Sequence, residues 1–252
     1  MKGFYFCMNQ TSLNRSFTTW SLLGFAAPSI IMMVFMSLYT IVDGIFISRF
    51  VGSNALSSLN IVYPMINVVI AIATMFATGG NAIVSRYLGQ GQEKQAREAL
   101  TEFVVIGVLI STVFAALVIL FEDPICRFLG ANDELMADCK AYLTISMLFA
   151  PACTLQTLFQ SYFVTASRPG LGLWLTVAAG ILNAVLDYVL IVPIPLGIAG
   201  AALATGFGQL LPAVVGLIFF AIPRKTLRFC RFSFRLREIR DACINGSSEM
   251  IG

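Results

Sequence analysis

Apolar side chains run in long blocks along this chain, and polar residues return only in short bursts between them. A helix that crosses a bilayer core needs about 20 apolar residues. Six blocks are long enough: Thr18–Ile47, Leu56–Gly79, Thr101–Phe121, Ala141–Ala166, Leu171–Val192 and Ile198–Ile222. Pro28, Pro64, Pro151 and Pro212 fall inside four of them. Proline stops helices in water, but membrane helices tolerate it and often bend there. The pattern predicts an all-α integral membrane protein built as a six-helix bundle. It divides into a polar segment 1–17, a transmembrane lobe 18–222, a basic amphipathic linker 223–241, and a piece 242–252 that begins a second, truncated lobe.

Composition agrees with that class. Of the 252 residues 58% are hydrophobic and 12% charged, against about half and a quarter for a soluble domain. The small net charge of +3 matters less than its placement. With the N-terminus in the cytoplasm, Lys2, Arg15, Arg86, Lys94, Arg97, Arg168, Arg224, Lys225, Arg228, Arg231, Arg235, Arg237 and Arg240 all fall inside, and only Arg49, Arg127 and Lys140 of the 16 basic residues fall outside. The positive-inside bias therefore orients the chain with a cytoplasmic N-terminus. The first block is preceded by a polar stretch and is too long for a signal-peptide core, so it is expected to act as its own anchor.

In the linker Arg224, Arg228, Arg231 and Arg235 recur at helical spacing, with Phe229, Phe232, Leu236 and Ile239 on a second stripe. This predicts a basic helix lying on the anionic cytoplasmic surface. No nucleic-acid partner is expected from so short a basic run.

Histidine is absent, which removes imidazole acid–base chemistry, Ser-His-Asp and Cys-His nucleophiles, and His-based metal sites. The six cysteines contain no CxxC pair and read as free thiols, although Cys126 and Cys139 share one loop where they could bridge. Neither an enzyme nor a cofactor is expected.

The chemistry lies in two intramembrane acids. A carboxylate at mid-bilayer costs about 2.5–3.5 kcal/mol on insertion scales, so Asp187 must face protein or a wet cavity. Thr176, Gly180, Asn183 and Asp187 fall on one stripe of the fifth span, while its other faces are Leu, Val and Ile. A packing stripe would also use Gly and Thr, but Asn183 and Asp187 point toward a site. In the first span Pro28, Met32, Met36, Tyr39 and Asp43 share roughly one face. Asp43 and Asp187 both come near the outer ends of their helices. Two such carboxyls close together cannot both ionise cheaply, which makes a proton or cation site. An interfacial position for Asp43 remains the alternative. Thr205 and Gln209 in the sixth span, Asn60 and Asn67 in the second, and Gln156 and Gln160 in the fourth offer uncharged polar groups. Of these, Met36, Asn67, Gln160, Thr176 and Gln209 are the candidates for a substrate cavity. Glu102, at the start of the third span, reads as a solvated helix N-terminus residue.

Four stretches carry a family likeness: "AAPSIIMMVFMSLYTIVDGIFISRFVGSNALSSLN", "GGNAIVSRYLGQGQEKQA", "GILNAVLDYVLI" and "GIAGAALATGFGQ". In this order the chain resembles the multidrug and toxic compound extrusion (MATE) transporters. The resemblance implies the N-terminal lobe of a twelve-helix antiporter, followed by the linker and the first residues of helix seven. The two lobes would be parallel repeats about the membrane normal. It implies export of small organic cations or amphipathic drugs in exchange for H⁺ or Na⁺, across a prokaryotic inner membrane. The family's coupling site maps onto Asp43, Asn183, Asp187 and Thr205, with Tyr39 matching and Pro28 as the helix-bend proline. Na⁺ at Asp43 and Asp187 would be the only metal. The missing partner would be a C-terminal lobe or a second copy. The alternatives are a flippase for a lipid-linked precursor, which would be expected to show a basic cavity, and a non-transporting scaffold, which would leave the paired acids unexplained.

Overall fold

Proline 151 divides the fourth apolar block. In the computed structural model, which describes residues 30, 31, 34, 37, 38, 41, 43–222, 227–232 and 234–251 (the side chains of 248–251 excepted), this block is two helices meeting at a 50° bend. Phe149 sits at the break, with φ −90° and ψ 1°, and Pro151 opens the second helix. A proline ring clashes with the carbonyl four residues back and offers no N–H, so the helix re-starts there. Pro64 and Pro212 lie inside helices that run on unbroken.

The described residues at 30, 31, 34, 37, 38, 41 and 43–46 are helical. They lead into a π-helical turn, Ile47–Val51, closed by Gly52 at φ 121°, a value that favours glycine. The helices that follow are α1 (Ser53–Gly89), α2 (Glu93–Leu120), α3 (Glu122–Phe128), α4 (Met136–Leu148), α5 (Ala150–Thr165), α6 (Pro169–Ile191), α7 (Ile198–Ala221) and α8 (Leu236–Ile251). Among the described residues α1, α2, α6 and α7 are each long and apolar enough to cross a membrane, and the bent pair α4–α5 makes a fifth when taken as one span. The expected first span falls largely outside the described residues. The second expected block, Leu56–Gly79, is the middle of a longer helix: α1 continues past Gly79 to the turn at Gln90–Gly91.

Two apolar clusters hold the bundle. One gathers Ile47, Val62, Val118, Cys126, Tyr142, Met147 and Ile198 near the π-turn. The other stacks Phe76, Phe103, Phe159, Tyr162, Phe163 and Phe220 toward the opposite end, where the linker emerges. Phe220 is the hub of the second, with ring centroids 5.4 Å from Phe159 and 5.7 Å from Phe163. Several serines and threonines on the helices return their hydroxyls to their own backbone, as Ser58 does to Asn54 O at 3.0 Å and Thr112 to Val108 O at 2.6 Å. This satisfies them where water is absent.

The linker corrects two sequence expectations. The basic helix expected from Arg224 does not form over 227–232 or 234–235; the helix starts at Leu236. Acceptors elsewhere take the backbone N–H groups: Phe229 N donates to Phe220 O at 2.9 Å, Cys230 N to Thr101 Oγ1 at 3.1 Å and Arg235 N to Glu102 Oε1 at 2.6 Å. Glu102, expected to be solvated, is 1% exposed for the same reason. Arg235 ties the linker down further through Glu98 at 2.6 Å and Glu238 at 2.9 Å, and Tyr87 donates to Glu238 at 2.8 Å.

One helix, α8, then runs through the division expected between 241 and 242. It lies antiparallel against α1, with Gly79 facing Ala242 and Gly246 facing Met75. A Cβ at either glycine would overlap the opposing backbone carbonyl. Only residues without side chains allow backbones this close.

Candidate functional site

The stripe of the fifth apolar block turns inward on α6. Thr176 and Asn183 are 3% exposed and Asp187 is 0%, whereas Ile181, Val185 and Tyr188 on the far side are more than half exposed. The 3.6-residue period accounts for this division. α7 approaches the polar face closely because Gly208 stands there: a Cβ on it would come within 3.2 Å of the Asn183 Cβ and 3.3 Å of Ala179 O. The approach lets Asn183 Nδ2 donate to Thr205 Oγ1 at 3.4 Å. Further along the face Gln160 Nε2, from α5, donates to Thr176 Oγ1 at 3.1 Å, and Thr176 donates to Gly172 O at 2.9 Å.

Asp43 reaches Asp187 from the segment before the π-turn. The two carboxyls lie close enough to act on each other's charge. Two carboxylates have no donor between them, so such a contact holds only with a proton or cation shared by the pair. Among the described residues neither oxygen of Asp187, nor Oδ1 of Asp43, has a hydrogen-bond partner, and all three are buried. An unpartnered buried carboxylate is among the costliest groups a bundle can hold.

Beside the pair lies a cavity of about 90 Å³ between α1, α4, α5 and α7, whose lining includes Asp43, Tyr63, Tyr142, Cys153, Thr205 and Gln209. A second pocket of about 10 Å³ is bounded by Gln156, Thr176, Asn183, Thr205 and Gln209, enough for about one water molecule. Thr205 and Gln209 border both. The bend at Pro151 shapes the larger cavity, because Phe149 and Ala150 line it. A polar track thus runs from the acids along α6 to Gln160. Past a gap, at the linker end, Thr165 bonds Asn81 and lies 3.4 Å from Ser85.

Of the residues singled out in the sequence, Asp43, Asn183, Asp187, Thr205, Thr176, Gln160 and Gln209 come together along this track. Asn67 does not line either cavity and is exposed on α1, as is Asn60. Pro28, Met36 and Tyr39 lie outside the described residues. Tyr63 and Tyr142 carry no sequence signal, since an aromatic among apolar residues reads as lipid-facing or core. Gln156 had one, its one-turn spacing from Gln160. Among the described residues no three acidic or cysteine side chains cluster as a metal site, and Cys126 and Cys139 are both buried free thiols.

Residues 28–189 match the MatE family model. The multidrug export protein MepA of Staphylococcus saprophyticus is 27% identical over 197 residues, which is 78% of this chain and 44% of that protein. MepA of Staphylococcus aureus strain N315 is 24% identical over 200 residues, with 79% and 44% covered. The fold superposes on a multidrug resistance MATE family transporter solved in its outward-facing conformation. The TM-score is 0.83 at 19% identity, covering 91% of this chain and 52% of that one. The chain spans about half the length of these relatives.

Proposed function

The chain belongs to the MatE family, and on that premise we propose that it is the ion-coupling half of a secondary antiporter. It exports cationic or amphipathic organic compounds in exchange for H⁺ or Na⁺ across a bacterial plasma membrane. The observation that carries this reading is the approach of Asp43 to Asp187 with carboxyl oxygens that no described protein group satisfies. A pair that is costly when empty is stabilised by loading one proton or one monovalent cation, and that free-energy difference is what a coupled carrier needs. Thr205 and the amide oxygen of Asn183 offer further oxygens to a bound Na⁺. With a proton as the coupling ion, the same groups hold the carboxyls in register.

Loading from the outer side neutralises the pair and favours one packing of the lobe. Release to the cytoplasm restores the repulsion and favours the other. Met36 and Asn67 belong to the proposed substrate surface with Gln160, Thr176 and Gln209. From the family resemblance we assign Tyr39 to the coupling group and Pro28 to the point where the first helix would bend. Acidic rather than basic intramembrane charge favours an organic cation over a lipid pyrophosphate. The other half of the transport path comes from a C-terminal lobe or a second copy.

The test is ethidium efflux from cells expressing this chain alone, or together with a separately encoded second half of a MepA relative, each with and without Asp187→Asn. Efflux that requires the added half and disappears in the variant supports the proposal. Efflux unchanged by Asp187→Asn, from equally inserted protein, refutes it.

A further inference from the structure

The described strap residues 227–232 and 234–235, with the first turn of α8, have an inner and an outer side. Leu227 turns in and is 2% exposed, and Phe229 packs on the rings of Phe159 and Phe220. The outer side is apolar and basic together. Phe234 is 65% and Leu236 80% exposed, Phe232 meets Phe234 edge to face at 5.2 Å, and Arg231 and Arg237 are exposed beside them. An open concavity runs along Phe229, Cys230, Arg231 and Phe232.

The cations of this stretch divide into two kinds. Arg235 is neutralised by Glu98 and Glu238, and Arg240 pairs with Asp241. Arg228, Arg231 and Arg237 form no ion pair among the described residues. The backbone beside them is held where Phe229, Cys230 and Arg235 donate to Phe220, Thr101 and Glu102, so the guanidinium groups are presented from a fixed course rather than from a mobile tail. Guanidinium is the side chain best shaped to fork onto phosphate oxygens.

We propose that this strap binds the phosphodiester headgroup of an anionic phospholipid, in the leaflet at the linker end of the bundle. Phe229 N donates to Phe220 O in the last turn of a membrane-spanning helix, which sets the strap near headgroup depth. Exposed Phe234 and Leu236 match the boundary between headgroups and acyl chains, a contact that free phosphate would not use. The same end of the bundle carries Arg86, Lys94, Arg97 and Arg168, the charge bias that marks the cytoplasmic leaflet, where anionic lipids concentrate. The inference rests on the membrane-spanning fold and stands whether or not the lobe transports.

Purified chain, delipidated in neutral detergent, is titrated with phosphatidylglycerol or phosphatidylcholine of the same acyl chains, and bound lipid is counted by native mass spectrometry. Phosphatidylglycerol binds in preference, and added salt weakens it. At about fivefold per arginine near an anionic headgroup, R228Q/R231Q/R237Q loses about a hundredfold of that preference while its melting temperature stays put. Arg168→Gln, an exposed cation at the same end, changes it by less than about twofold, so the effect is local. Phe234→Ser with Leu236→Ser weakens both lipids and keeps their ratio. Equal binding of the two lipids, a triple variant that keeps the preference, or an Arg168→Gln loss as large as the triple's overturns the proposal. So does lipid binding untouched by the Phe234 and Leu236 changes, or full displacement of phosphatidylglycerol by millimolar inorganic phosphate.

Discussion

Gly79 of α1 and Ala242 of α8 meet backbone to backbone, so close that a Cβ on the glycine would overlap the alanine carbonyl. Gly246 meets Met75 in the same way one turn along. Overpacking a tight contact costs about 1–3 kcal/mol, because here the opposing atom is backbone and cannot rotate away. Gly79→Ala and Gly246→Ala are each expected to destabilise by that amount. The double variant should cost less than the sum, since one opening of the seam relieves both. Thermal unfolding in detergent, with trypsin cleavage at Arg237 and Arg240 as a local readout, checks this.

Arg235 is the only described cation that bonds both Glu98 and Glu238. Arg235→Gln removes the charge these two share, leaving Glu98 the exposed Lys94 at 3.9 Å and Glu238 the Tyr87 hydroxyl, while the backbone bond to Glu102 remains. Breaking a fully buried pair costs about 3–5 kcal/mol. A third of the Arg235 side chain is in water, so a loss of about 1–2 kcal/mol is expected. Adding Glu98→Gln should recover part of that loss, which a double-mutant cycle on the unfolding midpoint measures. Full additivity of the two changes would mean that the ion pair contributes nothing.

What could be read from the sequence follows from what is local in it. The inward stripe of α6 is legible because four polar or small residues repeat at the helical period in an otherwise apolar block. The break at Pro151 is half legible: proline marks the place, but Pro64 and Pro212 look alike in sequence and leave their helices intact. The linker misleads because Arg224, Arg228, Arg231 and Arg235 have helical spacing, while the acceptors that unwind the stretch, Thr101 and Glu102, lie on a distant helix. Glu102 misleads for the same reason, since its partner is remote in the chain. The Gly79–Ala242 seam has no signature beyond two small residues.

Cys126 is fully buried under the loop before α4. Burial first, then Cys139 and the acids Glu122 and Asp123, push its thiol up to about 11 against the opposing pull of Lys140. At pH 8 about one thiol in a thousand is then thiolate, the reactive form. Maleimide at that pH should label the half-exposed Cys230 at least about a hundredfold faster than Cys126, with the gap closing on denaturation. Quantitative peptide mass spectrometry reads both sites in one sample. Equal rates in the folded protein would mean that the loop over Cys126 opens freely.

Asp187 is buried at 0% exposure with both oxygens unpartnered among the described residues, and Asp43 faces it. A side chain in that position is kept for something other than stability, because a neutral amide of the same shape avoids both the desolvation of a charge and the repulsion of its neighbour. Asp187→Asn is therefore expected to stabilise the folded chain by about 1–2 kcal/mol at neutral pH and low salt, seen as a higher unfolding midpoint in detergent. Asp43→Asn should do likewise. Because either change alone removes the repulsion, the second should add little once the first is made, a coupling that independent sites would not show. If instead Asp187→Asn lowers the midpoint, the carboxyl is held by a bound cation or by a partner outside the described residues. Raising Na⁺ then separates those two cases: it stabilises the parent chain and not the variant only if the pair binds the ion.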